Sequence, residues 1–304
     1  MCGVISLRRP VLIAALVCIF AESHAATSSP ADPNEHPPGV LGRLGGFTAD
    51  FAIHLLRDYQ TQLQFPFQYV GEHPGRAMLA SAGLAGLVLS DRATYDALAP
   101  KEIRDKDELS DAAARMSKWG NSSSTIPLVL GIGAAGIVFD SPRERETSLM
   151  LVEAILTSAT WTELLKTATG RERPREAEGV VSDWTGPGGV FGDDGNEGVV
   201  YRSFPSGHST GIWATATVLA HQYPEHGVVP VLAYGTAVAM GYSRMITGAH
   251  WLSDVVVGGL IGYGCARQVL SAHESRRRAE NPPQLGVSLE IENGYKGVAL
   301  SYRF

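Results

Sequence analysis

The sequence predicts a helical bundle that ends in a short β-hairpin, and three observations lead there. Six apolar stretches, at 77–90, 126–139, 149–165, 211–220, 228–242 and 255–270, are rich in Ala, Gly, Leu and Val and mostly run near 14–17 residues. The last twenty residues switch period: Val287, Leu289 and Ile291 alternate, Asn293-Gly294 follows, and Val298, Leu300, Tyr302 and Phe304 alternate again. That is the signature of two strands joined by a tight turn. Hydrophobic residues make up 44% of the chain and charged residues 18%, a balance that suits a packed core rather than a disordered polymer.

The apolar stretches fall short of the roughly 20 residues a transmembrane helix needs. Several are interrupted, by Glu153, Glu163 or Pro230. They read as core helices of a soluble bundle, whose small residues let neighbouring backbones approach closely. The apolar character of 126–139 and 255–270 keeps a membrane-embedded bundle as the alternative.

In chain order, residues 1–25 read as a secretory signal. Arg8 and Arg9 form its charged start, 11–21 its apolar run, and Ser23-His24-Ala25 a small-residue cleavage site. Export, to a periplasm, is the expected destination. Residues 26–75 combine a lead-in rich in Ser, Pro and Asn with an amphipathic helix over 47–62. Phe51, Leu55 and Tyr59 lie there at helical spacing, with Asp50, Arg57 and Asp58 between them. Phe65-Pro66-Phe67 should close that helix. Residues 76–272 form the bundle, and 273–304 a basic linker and the hairpin. A terminal aromatic on an alternating strand is similar to the last strand of an outer-membrane barrel. One hairpin closes no barrel, so it is expected to fold over the bundle. Arg276, Arg277 and Arg278 are placed to compensate the negative end of the preceding helix.

The chain carries 25 basic and 31 acidic residues, a net charge of −6. Without a basic patch, nucleic acid is excluded as a partner. Of Cys2, Cys18 and Cys265 only the last lies beyond the signal, so no internal disulfide is expected and Cys265 should be a buried, inert thiol. A Gly-rich loop between Arg175 and Arg202 has the length of a lid or site-forming segment. Its acidic cluster, Asp193, Asp194 and Glu197, lacks the spacing of a calcium loop.

Three segments carry chemistry. In the first, Lys166 and Arg173 are seven residues apart, about two helical turns. They bring a mobile point charge and a planar fork toward one spot. In the second, Ser203 to Ser209, Pro205 sets a turn, and Ser206 and Gly207 stand where a helix begins. Free N–H groups and the positive dipole end make an anion site there, and His208 would face it. In the third, His250 and Asp254 are four apart, on one helix face, where a carboxylate can hold one imidazole nitrogen and free the other to attack. Arg244 adds a third cation.

Taken together, in order, spacing and residue type, the three segments resemble the three-part signature of the type 2 phosphatidic acid phosphatase (PAP2) superfamily, which also holds bacterial non-specific acid phosphatases and vanadium haloperoxidases. The resemblance runs from about residue 149 to residue 270. It implies an all-α bundle with the segments at one end. No cofactor or metal is expected, because three cations and helix N–H groups can stabilise the transferred phosphoryl group and the sequence lacks an evident carboxylate-rich two-metal site. The resemblance further implies that His250 attacks phosphorus, that Asp254 orients it, and that His208 serves as acid and then base. Lys166, Arg173, Arg244, Ser206 and Gly207 would hold the phosphate oxygens. The expected activity is hydrolysis of phosphate monoesters, with a membrane-associated lipid phosphate or pyrophosphate phosphatase as the alternative and a haloperoxidase behind both. The expected partner is a phosphate ester, soluble or lipid, with contact to a membrane surface left open.

Overall fold

A computed structural model describes residues 40–120, 122–177, 179, 182–191, 200–280, 284–292 and 295–303. The signal at 1–25 and the cluster Asp193, Asp194 and Glu197 lie outside the described residues. The helices are α1 Val40–Glu72, α2 Pro74–Leu89, α3 Asp91–Leu98, α4 Lys101–Arg104, α5 Asp107–Trp119, α6 Ser122–Val138, α7 Pro142–Thr169, α8 Pro187–Val190, α9 Gly207–Gln222, α10 Val228–Ile246 and α11 Leu252–Glu280.

The core lies where α7, α9 and α11 pack on one another. Leu151 and Ala154 of α7, Ala214 and Val218 of α9, and Ala266, Val269 and Leu270 of α11 form one buried cluster, joined by Val129 of α6. The expected close approach of backbones is found between α9 and α11. A Cβ on Gly262 would lie 2.1 Å from the Thr210 carbonyl oxygen, so a side chain there would force the helices apart. Gly262→Ala should lower stability by about 1–3 kcal/mol, the usual range for overpacking, read as a fall in the thermal midpoint.

Two expectations about the helices need correction. First, α7 has 28 residues and α11 has 29, and both are long and apolar enough to cross a membrane. Glu153, which interrupts the apolar run in the sequence, points inward, where the His273 Nε2 lies 2.7 Å from its carboxylate. An acidic residue on the inner face does not interrupt the outward one, whereas Glu163, with its side chain 56% exposed, lies near the end of α7 beside the cleft. Second, the helix expected over 47–62 continues through Pro66 to Glu72, and its inner face holds Asp58 beside the half-buried Phe51, Leu55 and Tyr59. Asp58 is 1% exposed while Leu56 is 67% exposed, with Leu63, Phe65 and Phe67 also facing outward. Gln268 Nε2 donates to Asp58 at 3.0 Å, and Trp161 Nε1 donates to Gln62 at 2.7 Å. Partners from α7 and α11 thus satisfy the polar groups that this helix turns inward, while apolar side chains cover its outer side.

Helix α2 has no buried residue, and Met78, Leu79, Leu84 and Leu89 are exposed on it. Further outward apolar side chains, among them Leu164, Val231, Leu232, Val238 and Leu260, extend this surface over α7, α10 and α11. Soluble monomers rarely expose contiguous apolar patches beyond a few hundred Å².

Cys265 is buried and free. Arg277 and Arg278 occupy the last turn of α11, the position at which cations offset the helix dipole. Beyond it, β1 Gln284–Glu292 and β2 Tyr295–Arg303 pair antiparallel, with Val287 opposite Leu300. The turn and the side chains of this segment lie outside the described residues, and with them the expectation that it folds over the bundle.

Candidate active site

The three segments meet at one end of the bundle because helix ends meet there. Lys166 sits in the last turn of α7, Arg244 in the last turn of α10, His208 in the first turn of α9, and His250 just before α11. A cleft of about 310 Å³ is lined by Gly120, Glu163, Lys166, Arg173, Gly207, His208, Arg244 and His250. Six of the eight residues singled out in the sequence therefore line one cleft. Ser206 and Asp254 stand behind it.

Each cation is held by carbonyls or by packing. Lys166 Nζ donates to the carbonyls of Arg202 at 2.9 Å and Pro205 at 2.6 Å. Arg173 donates to the Ala249 carbonyl at 3.2 Å. Arg244 Nε is buried with no hydrogen-bond acceptor among the described residues. A buried donor of that kind is costly unless a ligand satisfies it. Burial first, then Arg173 and Arg175, pulls the Arg244 guanidinium down to about 10.

Ser206 is not a cleft residue. It is the N-cap of α9, wholly buried, its Oγ accepting from Ser209 Oγ at 3.1 Å and from Ser209 N at 3.4 Å. Its own N–H donates to the Asp254 carbonyl at 2.9 Å, tying the start of α9 to the start of α11. The side chain expected to hold a phosphate oxygen is consumed by capping.

The His250–Asp254 relationship also differs from the helical pairing. His250 precedes α11, and its Nδ1 lies 3.7 Å from Asp254 Oδ2, too far for a hydrogen bond. Instead Nδ1 is 2.7 Å from the Ser203 carbonyl oxygen. A carbonyl only accepts, so Nδ1 carries the hydrogen and the Nε2 lone pair is free. Asp254 acts one step removed. It accepts from Ser203 Oγ at 2.5 Å, from Trp251 N at 2.8 Å and from Arg171 at 2.6 Å. A carboxylate three residues into α11 that binds the N–H of the preceding N-cap is one half of a capping box.

His208 is held from the other side. The backbone of Ser117, near the end of α5, faces its ring. A Cβ on Gly120 would come within 2.9 Å of His208 Cδ2 and of the Met240 methyl. Gly120 therefore leaves the space the imidazole occupies. Gly120→Ala should push the ring out of line and lower turnover about 10–100-fold, since an ångström of misplacement carries costs of that order. Steady-state kinetics of the variant beside its thermal midpoint would check this. Burial foremost, then the charges of Arg244 and Lys166, draws His208 down to about 4; burial foremost draws His250 down to about 3. Above about pH 4 the cleft thus presents two neutral imidazoles.

The sequence reading passed over Asp91, Arg171, Ser203, Trp251 and Ser253, which pack beneath His250. Arg171 lies inside the Lys166–Arg173 segment and could have been flagged as a third cation there. Nothing local distinguishes Asp91, which is 163 positions from Asp254 in the chain but shares its arginine. In the expected lid segment, Gly186 to Gly189 open the short helix α8, and Thr185 N bonds the Gly170 carbonyl at 3.0 Å, fastening this part beside the end of α7.

An all-helical bundle with two imidazoles and three cations in one cleft at its end defines a class of anion-handling site, and the comparisons with known proteins agree with it. Residues 147–278 match the PAP2 superfamily. The chain is similar to an acid phosphatase of Zymomonas mobilis, 42% identical over 62 residues, which are 20% of this chain and 22% of that protein. It is also similar to a lipid A 4'-phosphatase of Helicobacter pylori, 29% identical over 109 residues, 34% of this chain and 50% of the relative. The matches thus span half or less of these relatives' own length. Among solved structures it is similar to a transmembrane PAP2-type phosphatidylglycerolphosphate phosphatase from Bacillus subtilis. That match has 22% identity and a TM-score of 0.47, and it covers 72% of this chain and 96% of the other.

Proposed function

We propose that this chain is a membrane-associated phosphatase that removes phosphate from phosphorylated lipids through a phosphohistidine intermediate. The observation that carries the chemistry is the free Nε2 of His250 in a cleft with His208, Lys166, Arg173 and Arg244. In the first step Nε2 attacks phosphorus, the bond from phosphorus to the ester oxygen breaks, and His208 gives that oxygen its proton. In the second, His208 takes a proton from water, the water oxygen attacks phosphorus, and the N–P bond breaks to release inorganic phosphate. Lys166, Arg173, Arg244 and the N–H groups at the start of α9 stabilise the equatorial oxygens throughout. Phosphoryl transfer asks for little beyond this positioning and charge.

The lipid substrate replaces the soluble ester as the favoured reading. Two helices are long and apolar enough to span a bilayer, and an outward apolar surface covers α2, α10 and α11. The cleft lies at the ends of those helices, the depth at which a lipid's phosphate sits. The lipid A phosphatase among the relatives supports the same reading. The cleft of about 310 Å³ suits a phosphate and little more, so acyl chains would stay in the bilayer. The site is taken to face the periplasm, in keeping with the signal-like start.

The test is release of inorganic phosphate by the full chain purified in detergent, with chelator present, from phosphatidate in mixed micelles and from p-nitrophenyl phosphate. Faster turnover of the lipid at equal bulk phosphate is expected, and a chain ending at 280 should retain it. Preference for the soluble ester would return the substrate to the acid-phosphatase type. Absence of activity on both would reject the function.

A further inference from the structure

We propose that Asp91, acting through Arg171, is a positioning residue for His250, so that helix α3, outside the segment matched to the superfamily, belongs to the working parts of the site. The inference rests on the reading of His250 as nucleophile.

Arg171 is 1% exposed and lies between two carboxylates. Its NH2 is 2.7 Å from Asp91 Oδ2 and its NH1 is 2.6 Å from Asp254 Oδ1, a planar fork divided between acids on α3 and α11. The guanidinium plane is fixed by the Trp184 ring at 4.7 Å and the Trp251 ring at 5.4 Å, and Nε donates to Ser182 Oγ at 2.9 Å. The Arg171 carbonyl accepts from Ser203 N at 2.9 Å. The same serine's Oγ donates to Asp254, and its carbonyl receives the His250 Nδ1 hydrogen. Ser203 is thus pinned by Arg171 at one end and by the Arg171-bound carboxylate at its side chain, and it holds the nucleophile at the other end.

Asp91 sets where that arginine stands. It also accepts from Ser253 N at 2.9 Å and from the Ser253 hydroxyl, while Arg171 NH1 donates to Ser253 Oγ at 2.7 Å. The first turn of α11, directly after His250, is therefore capped by Asp254 from within and by Asp91 from α3. One cation balances two buried anions. With Asp91 uncharged, Arg171 is drawn wholly to Asp254, and the carboxylate moves off Ser203 Oγ and Trp251 N. His250 would then lose its alignment while Lys166, Arg173 and Arg244 remain in place. That separation marks a positioning role.

Asp91→Asn keeps an acceptor for Ser253 and removes the charge. In the full chain, kcat should fall about 10–100-fold, and quenched-flow labelling should show slower formation of the phosphoenzyme. The Kd for inorganic phosphate should stay within about twofold, because the cleft cations are untouched. Arg171→Lys, which keeps the charge and loses the fork, should show the same split between kcat and phosphate binding. Unchanged kcat in Asp91→Asn overturns the proposal. Loss of phosphate binding together with kcat overturns it too, by making Asp91 a holder of the fold. If His250→Ala retains full activity, it is the nucleophile assignment that fails, which separates the two readings.

Discussion

His250→Ala should abolish turnover, lowering kcat by at least about 10⁴-fold, equivalent to about 5.5 kcal/mol of transition-state stabilisation. The size of the effect follows from the absence of a substitute in reach. The nucleophile forms the covalent intermediate, and the other imidazole of the cleft, His208, is carried separately by the first turn of α9. Binding of inorganic phosphate should survive the change, because Lys166, Arg173 and Arg244 line the cleft independently of His250. The measurement is steady-state hydrolysis in detergent together with calorimetric titration of phosphate. Enzyme quenched in alkaline denaturant, in which the N–P bond survives, should carry label from a radioactive substrate in the wild type and none in the variant. A variant that still forms a labelled intermediate would move the nucleophile elsewhere.

The second large effect is expected for His208→Asn, and it should depend on the leaving group. A lipid alkoxide is a poor leaving group and needs the proton from His208, so kcat should fall about 10²–10⁴-fold, the usual contribution of general acid catalysis. The acidic leaving group of p-nitrophenyl phosphate departs unaided. The first step should then survive, the second should stall, and a burst of nitrophenol equal to the enzyme present should precede a slow steady state. The pH dependence has a defined sign. His250 must be neutral and His208 protonated, and in the empty cleft these groups sit at about 3 and about 4. The wild-type kcat/KM should therefore peak in acid and decline as pH rises past the upper value. A bound phosphate dianion favours the protonated imidazole, so the corresponding limb of kcat should lie at higher pH. In His208→Asn that limb should be gone. A flat wild-type profile would refute the assignment of acid and nucleophile.

Much of the site was legible in the sequence because its residues are tied to helix ends that local patterns mark. Lys166 before the end of an apolar run, the Pro205-Ser206-Gly207-His208 start, and Arg244 and His250 around a helix junction are short-range features, and six of the eight chosen residues line one cleft. Ser206 was read correctly as the start of a helix and incorrectly as a cleft residue. Capping and ligand binding draw on the same residue type, and only the direction of the side chain separates them. The spacing of His250 and Asp254 suggested a direct bond, but α11 begins at Leu252. The pair is not helical, and the Ser203 carbonyl takes the place foreseen for the carboxylate.

The helices themselves were visible as apolar runs, yet their length and their surroundings were not. A run of apolar residues records how apolar a stretch is, and says nothing of which side faces inward. Glu153 and Asp58 break the pattern in the sequence and sit inside the bundle, each met by a partner from another helix. The expectation of a soluble bundle followed in part from counting Glu153 as an interruption of an apolar run. By itself, then, the sequence determined the family signature, the helical class, and the identities of the two histidines and three cations. The tertiary structure alone decided which faces turn outward and what stands behind the nucleophile. The reason is physical: local periodicity and capping act over a few residues, whereas Arg171 draws Asp91 and Asp254 together from 163 positions apart.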